Sequence, residues 1–408
     1  MLPPRSTPNV PSPEQSQAEV TGHRISPRLL VSTGIMLAVL LVAGMTFATQ
    51  KLTFSRAADS EHKSYDYGVI KTINGLTKIA AVGATDKIIN AQGKLITVDP
   101  NPYGIAVSAS NESKGLRKGD LLVTNIGNND QGNTIVKFTE QKGTGHLFNI
   151  TPSPATSGPA DLTFNNESGS LWVSNKTGND VQVFRPNGTL LTTIMNPLFN
   201  HPWGMATNGG DVYRHDGVSI SFFVGNVIDA TIDRIDVIPQ YRGLPRFRVV
   251  QIGQFDKNGA ATKIGLKWLP ELRIGDKTLK DVLLAIDPAN SRIAAFAHSS
   301  TINANGSKGT GKGITVFAGK PLNMPGGFAI NPLNGDLLVV NLMDNNLVEL
   351  NMTHGRVVGV KQIDPAKVDA QGNGSALFGV AALRDNRGNL RVFFTDDNTN
   401  TLNVLSAK

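Results

Sequence analysis

The chain has 408 residues, 40% of them hydrophobic and only 6% aromatic, with a formal net charge of +7 and no cysteine. Lack of cysteine excludes a disulfide framework, a thiolate metal site and a cysteine nucleophile. Lys and Arg are scattered rather than gathered into a run, so the charge reads as a mildly basic surface and not as a nucleic-acid interface.

Residues 1–28 hold six prolines among Ser, Gln and Glu, the composition of a disordered tail. Residues 29–48 (LLVSTGIMLAVLLVAGMTFA) contain no charge. As a helix this stretch spans about 30 Å, the thickness of a bilayer core. Two readings stand for it: an uncleaved signal anchor, or a signal peptide cut after the small-x-small triplet Thr46-Phe47-Ala48. Arg28 abuts the apolar run and places the amino terminus inside. Either reading exports the remainder, membrane-anchored in the first case and secreted in the second. Residues 49–65 read as a polar tether, and the domain is expected over 66–408.

From residue 100 onward one pattern recurs. A β-rich run ends in a polar residue at 121–125 (LLVTN), 171–175 (LWVSN), 222–226 (FFVGN), 337–341 (LLVVN) and 392–396 (VFFTD), with a weaker copy at 293–298 (IAAFAH). A second β-rich run follows most copies, as at 134–138, 180–184, 231–237, 346–350 and 401–405. Ahead of most copies lies a Gly/Pro turn with small residues: PYGIAV, GPADLTF, PWGMAT, GGFAI and FGVAAL. Anchor glycines at 104, 158, 204, 327 and 379 are 54, 46, 123 and 52 residues apart. The long step holds two units, so the count is six.

Short strands broken by Gly, Asn, Asp and Pro, with no sustained helical period, make residues 66–408 all-β. Six radial four-stranded sheets bury both faces of each sheet and leave few edges: a six-bladed β-propeller. The innermost strands crowd the axis, which accounts for their Gly and Ala. Tyr67 to Ile73 is expected to close the ring as the outer strand of the last blade. The fourth unit, about 250–320, gives no readable inner strand. Its Gly309–Gly313 stretch resembles a phosphate loop but lacks the strand–loop–helix setting.

The motif P-x-G-h-A, a strand ending in Asn or Asp, and then N-x-V/I resembles the NHL-repeat and gluconolactonase-like six-bladed propellers. The resemblance covers residues 66–408 and implies the fold. It also implies, for the lactonases, a divalent ion held by a Glu, two Asn and an Asp at inner-strand starts. Here those starts offer Asn101, Gly158, His201, Gly326 and Phe378, so most of that ligand set has no counterpart.

Strand ends from separate blades should converge around the channel on one face. The candidate ligand-facing residues are Asn101, Asn125, Asn175, His201, Trp203, Asn226, His298, Asn341 and Asp396. Each Asn or Asp either caps its own turn through a backbone N–H or joins a polar ring for a small ligand, a protein partner or a calcium-like divalent cation. No cofactor or resident metal is expected. His201 and His298 are the candidates for a general base, but no catalytic residue is identifiable. The expected role is a binding or scaffold module at the cell envelope; a metal- or His-dependent hydrolase or lyase for a lactone or small ester is the alternative.

Overall fold

The computed structural model describes residues 69–408, except 110–114, 151–156, 166, 211, 213, 215, 219, 257–262 and 304–307. The tail, the apolar segment 29–48 and the tether lie outside the described residues. Each repeat folds into four antiparallel strands, inner to outer, and six such sheets form the ring. The inner strands are Pro102–Val107, Pro159–Phe164, Pro202–Thr207, Leu266–Ile274, Pro325–Ile330 and Leu377–Arg384. They begin blades 1 to 6 and pack against one another around a closed circle. Blade 1 carries two extra short strands, Lys87–Ile89 and Leu95–Thr97, on its outer edge.

Six apolar clusters fill the gaps between successive blades, built from alternating Val, Ile, Leu and Phe. Both faces of every sheet are thereby covered, which is why the second strands LLVTN, LWVSN and LLVVN are buried throughout. Trp172 belongs to this core: it stacks on Phe222 with ring centroids 3.6 Å apart. A fully buried side chain of this size contributes roughly 1.5–3 kcal/mol.

Ring closure departs from the expected segment. The outer strand of blade 6 is Lys78–Ala84, paired with Thr401–Ser406, whereas Ile73–Gly75 is a single 3-10 turn. The buried Glu349 accepts the Ile73 N–H at 2.8 Å and fixes that turn beneath blade 5. A run such as KIAAVGA lacks the polar stop that marks the other strands, so its strand character shows only through its partner.

Blade 4 also differs from its reading. Its second strand is Lys277–Asp287, and Arg292–Phe296 is the third. Residues 246–254 belong to blade 3 as its outer strand. The described Gly309–Gly313 runs along that strand, with the Gly309 N–H on the Gln251 carbonyl and the Gln254 N–H on the Gly311 carbonyl.

The P-x-G motif has a mechanical basis. In blades 1, 3, 5 and 6 the register slips between the first residue of the inner strand and the fourth, a β-bulge at the strand entry. The third residue then presses on the next blade: a Cβ on Gly379 would sit 2.1 Å from the Tyr103 carbonyl, and one on Gly327 2.1 Å from the Phe378 carbonyl. Only glycine fits such an approach. Blade 2 corrects the sequence reading. Gly158 is not its anchor but the left-handed residue (φ +56°) before Pro159; the glycine position is held by Asp161.

The N-x-V asparagine has its own task. Asn179, Asn345 and Asn400 adopt φ near +50° in the turn before a third strand, a conformation Asn tolerates best after Gly. From there each side chain accepts the backbone N–H at the entry of the following blade: His201 at 2.8 Å, Ala376 at 2.9 Å and Asn101 at 2.8 Å. Ser291 takes this part in blade 4, reaching Met324 at 3.4 Å. The motif is a staple between blades.

Candidate functional site at the channel mouth

The bulge turns the second residue of each inner strand toward the axis, and three of these residues are aromatic. Tyr103 of blade 1, Trp203 of blade 3 and Phe378 of blade 6 meet there. The Tyr103–Phe378 centroids are 3.9 Å apart and the Tyr103–Trp203 centroids 5.1 Å, both edge to face. Ala160 of blade 2 is small enough to let Tyr103 and Trp203 meet across it. Ile126, Val227 and Leu342, each one residue beyond the polar end of a second strand, complete an apolar plug over the channel.

Into this plug reaches Lys263, the residue that stands in blade 4 where blades 1, 2, 3 and 5 have proline. Its Nζ lies 4.4 Å from the Phe378 centroid, 5.2 Å from that of Trp203 and 5.6 Å from that of Tyr103. Three ring faces attract a cation together, while burial opposes its charge. Burial first and nearby Lys176 second lower the Lys263 amine to about 8, against the opposing pull of Asp130 and Asp397. Lys176 is ion-paired with Asp130 and also lies 5.7 Å from the Trp203 centroid.

Asp397 stands beside the cage. Burial pushes its carboxyl up to about 6, with Lys263 opposing and Asp396 adding to the rise, and its Oδ1 is buried without a hydrogen-bond partner among the described residues. Burial likewise holds the Tyr103 phenol well above its usual range. The mouth therefore offers an apolar floor, an amine held partly out of water and an acceptor oxygen awaiting a donor.

The sequence-derived candidates are distributed differently. Asn125, Asn175, Asn226 and Asn341 have no exposed surface. Asn125 donates to the Thr85 carbonyl at 2.8 Å and Asn226 to Asp233 at 2.7 Å. Asn175 donates to Asp180 at 2.6 Å and Asn341 to the Pro321 carbonyl at 2.8 Å. Asp396 is 6% exposed and accepts the Thr399 N–H at 3.1 Å. All five thus make contacts within their own surroundings, although Asn125 Oδ1 and Asn175 Oδ1, like Asp397 Oδ1, are buried without a hydrogen-bond partner among the described residues.

Asn101 and His201 occupy the left-handed position just before an inner strand, with φ of 64° and 58°. The Asn101 side chain donates to the Gly127 carbonyl at 3.2 Å, and His201 Nδ1 lies 3.4 Å from Asn200 Oδ1. His298 is separated from the rest. It follows the third strand of blade 4 and so sits at the opposite end of the ring; Asp287, buried at the end of the second strand, takes the place assigned to it. Trp203 alone among the nine is part of the aromatic plug. No group of three or more His, Cys, Asp or Glu able to hold a metal occurs among the described residues, and the Asn oxygens expected to form a cation ring are distributed among blade turns.

Tyr103, Phe378, Lys263, Lys176 and Asp397 were not singled out from sequence. Their signal is positional: the x of P-x-G and its blade 6 counterpart, the blade 4 residue at the proline position, and the residue following the polar strand end.

No protein-family model matches the sequence, and no curated protein matches it. Among solved structures, the fold is similar to a protein of unknown function from Bacteroides thetaiotaomicron, at 13% identity and a TM-score of 0.50 over 80% of this chain and 75% of that one. It is also similar to virginiamycin B lyase from Staphylococcus aureus, at 13% and 0.46 over 81% and 99%. A gluconolactonase from Xanthomonas campestris gives 12% and 0.47 over 81% and 89%. At such identities the likeness concerns the fold alone.

Proposed function

We propose that the protein is a binding module of the cell envelope, exported behind residues 29–48 and recognising a small polar ligand or a protein side chain at the channel mouth. The observation that carries this reading is the aromatic cage around Lys263, assembled from blades 1, 3, 4 and 6, with the unpartnered Asp397 Oδ1 beside it. Such a mouth suits a ligand with an apolar face and a hydrogen-bond donor: the rings take the face, and Asp397 takes the ammonium or amide N–H. Lys263 yields its place over the rings and meets any anionic group on the same ligand. Rigid blades fix the rings and Asp397 before binding, which lowers the ordering cost.

A second reading has one observation in its favour. The amine of Lys263 and the carboxyl of Asp397 are both shifted toward neutrality, as an acid–base pair for a lactone or small ester requires. One experiment separates the two. The full-length chain is titrated with amino acids, short peptides and sugars while tryptophan fluorescence is followed, and lactone and ester turnover is assayed on the same preparation. Saturable binding lost in Trp203→Leu and Asp397→Asn, without turnover, supports the binding module. Turnover abolished by Lys263→Ala overturns it in favour of the enzyme.

A further inference from the structure

The inner strands repeat glycine at their third position and a small residue at their fifth, and each rule is broken once by a charge. The third positions are Gly104, Asp161, Gly204, Gly265, Gly327 and Gly379; the fifth are Ala106, Thr163, Ala206, Lys267, Ala329 and Ala381. Sterics explain the rule but not its exceptions. Both exceptions line the axis below the aromatic plug, in a cavity of about 30 Å³, room for a water molecule. Asp161 is anchored there: its Oδ2 accepts the Met205 N–H at 2.9 Å. Burial raises its carboxyl, and Lys267 is the leading influence in the other direction.

Lys267 lines a second space as well. At the end of the ring away from the plug, the inner strands surround an open funnel of about 290 Å³. Its walls combine the partly exposed Val107, Ile330 and Ala382 with Thr163 and Thr207, and Lys267 is the one charged residue among those lining it. Lys267 makes no ion pair with any described residue, Asp161 included, and it is only half-buried. Its ammonium acts on Asp161 without pairing directly with it, so an anion entering the funnel meets a cation that has no ion-pair partner among the described residues.

We infer that the funnel is a second ligand site for a small organic carboxylate with a short apolar body, its carboxylate paired with Lys267 and its body against Val107, Ile330 and Ala382. The volume lies at the small end of ligand pockets, so the ligand is a compact one. The aromatic plug separates this site from the upper mouth, and the inference does not depend on what binds there.

The test is a ligand-observed NMR titration of the full-length chain with pentanoate, using pentanol and pentylamine as charge controls and the solvent system without protein as blank. Pentanoate is expected to bind saturably and more tightly than either control. Lys267→Met, which keeps an unbranched side chain only one atom shorter, should weaken it about tenfold or more, as for loss of one charged hydrogen bond. Lys267→Arg should restore most of the affinity, and Lys277→Met, at an exposed lysine outside both sites, should leave it unchanged. The site does not exist if wild type shows no saturable pentanoate binding, or if Lys267→Met binds as wild type does. Equal binding of pentanol, or loss in Lys277→Met alone, also overturns the inference.

Discussion

Blades 4 and 5 share one four-strand plan, yet they attach to the ring by different chemistry. Blade 5 keeps the repeat: Pro325-Gly326-Gly327-Phe328-Ala329 at its entry and Asn345 as its staple to blade 6. Blade 4 reads Lys263-Ile264-Gly265-Leu266-Lys267 at the same place, with Ser291 as a weaker staple to blade 5. Its joint with blade 3 has Ala230 in the left-handed position where blades 2, 5 and 6 have Asn. That joint is made instead at the other end of the ring. Asp236 of blade 3 gathers Arg214, Arg234 and Arg248 at 2.7–2.9 Å, and Arg234 reaches across to the Ser299 carbonyl at 2.9 Å and that of Ile302 at 2.6 Å. Where the repeat is kept, its polar residues build the ring. Where it is broken, side chains are released to the channel, and other contacts hold the blades together.

The largest effect expected from this contrast comes from the arginine cluster. Asp236 and Arg234 have no exposed surface. Asp236→Ala leaves a buried guanidinium without its counter-charge and should cost about 3–5 kcal/mol, as breakage of buried pairs does. Arg248 is a third exposed on its side chain, so Arg248→Ala should cost far less. Urea denaturation of the two variants measures both. Equal losses would mean that the cluster does not lock blade 3 to blade 4 through its buried members.

The staples should give an intermediate effect that ranks the two blades. Asn345→Ala removes the acceptor of the buried Ala376 N–H and the donor to the Gly374 carbonyl at 2.8 Å. It should cost about 1–3 kcal/mol, the penalty for a buried group left unpaired. Ser291→Ala loses one 3.4 Å contact and should cost less than about 1 kcal/mol. A reversed order by thermal or urea unfolding would remove the distinction between a strongly and a weakly stapled blade.

These differences also explain what could be read without the structure. Six blades were legible because the polar-ended second strands recur and the glycine entry is enforced by carbonyls such as those of Tyr103 and Phe378. Blade 4 was opaque because lysines hold both its proline and its alanine positions, so its inner strand and Asp287 passed unnoticed. The closing strand, 78–84 rather than 67–73, carries no mark of its own, since its pairing is with residues more than 300 positions away. The candidate site was legible only at Trp203. Residue x of P-x-G is the variable position of the motif, and its meaning depends on the bulge that aims it at the axis. The asparagines drew attention because they recur, and recurrence here reflects turn geometry and stapling.

A pH-dependent effect concerns Lys263, whose presence in blade 4 is the clearest departure from the blade 5 pattern. Its folded value is lowered to about 8 from 10.5, first by burial and then by Lys176, with Asp130 and Asp397 opposing. Between these values the unfolded chain holds a proton that the native protein has released. Stability rises with pH wherever the unfolded state binds more protons, so this group makes the protein more stable as pH climbs from about 8 toward 10.5. Below that window the group exerts a constant cost. Tyr103, facing the same cage, resists ionisation in the fold, so comparison on the lower side of pH 10 keeps it out of the signal. Urea unfolding of wild type and Lys263→Met at pH 7.5 and 9.5 should show the gain only in wild type, because methionine fills the cage without a titrating group. Parallel pH profiles for the two proteins would mean that Lys263 stays solvated, and the cage would then be a surface stack rather than a recognition site.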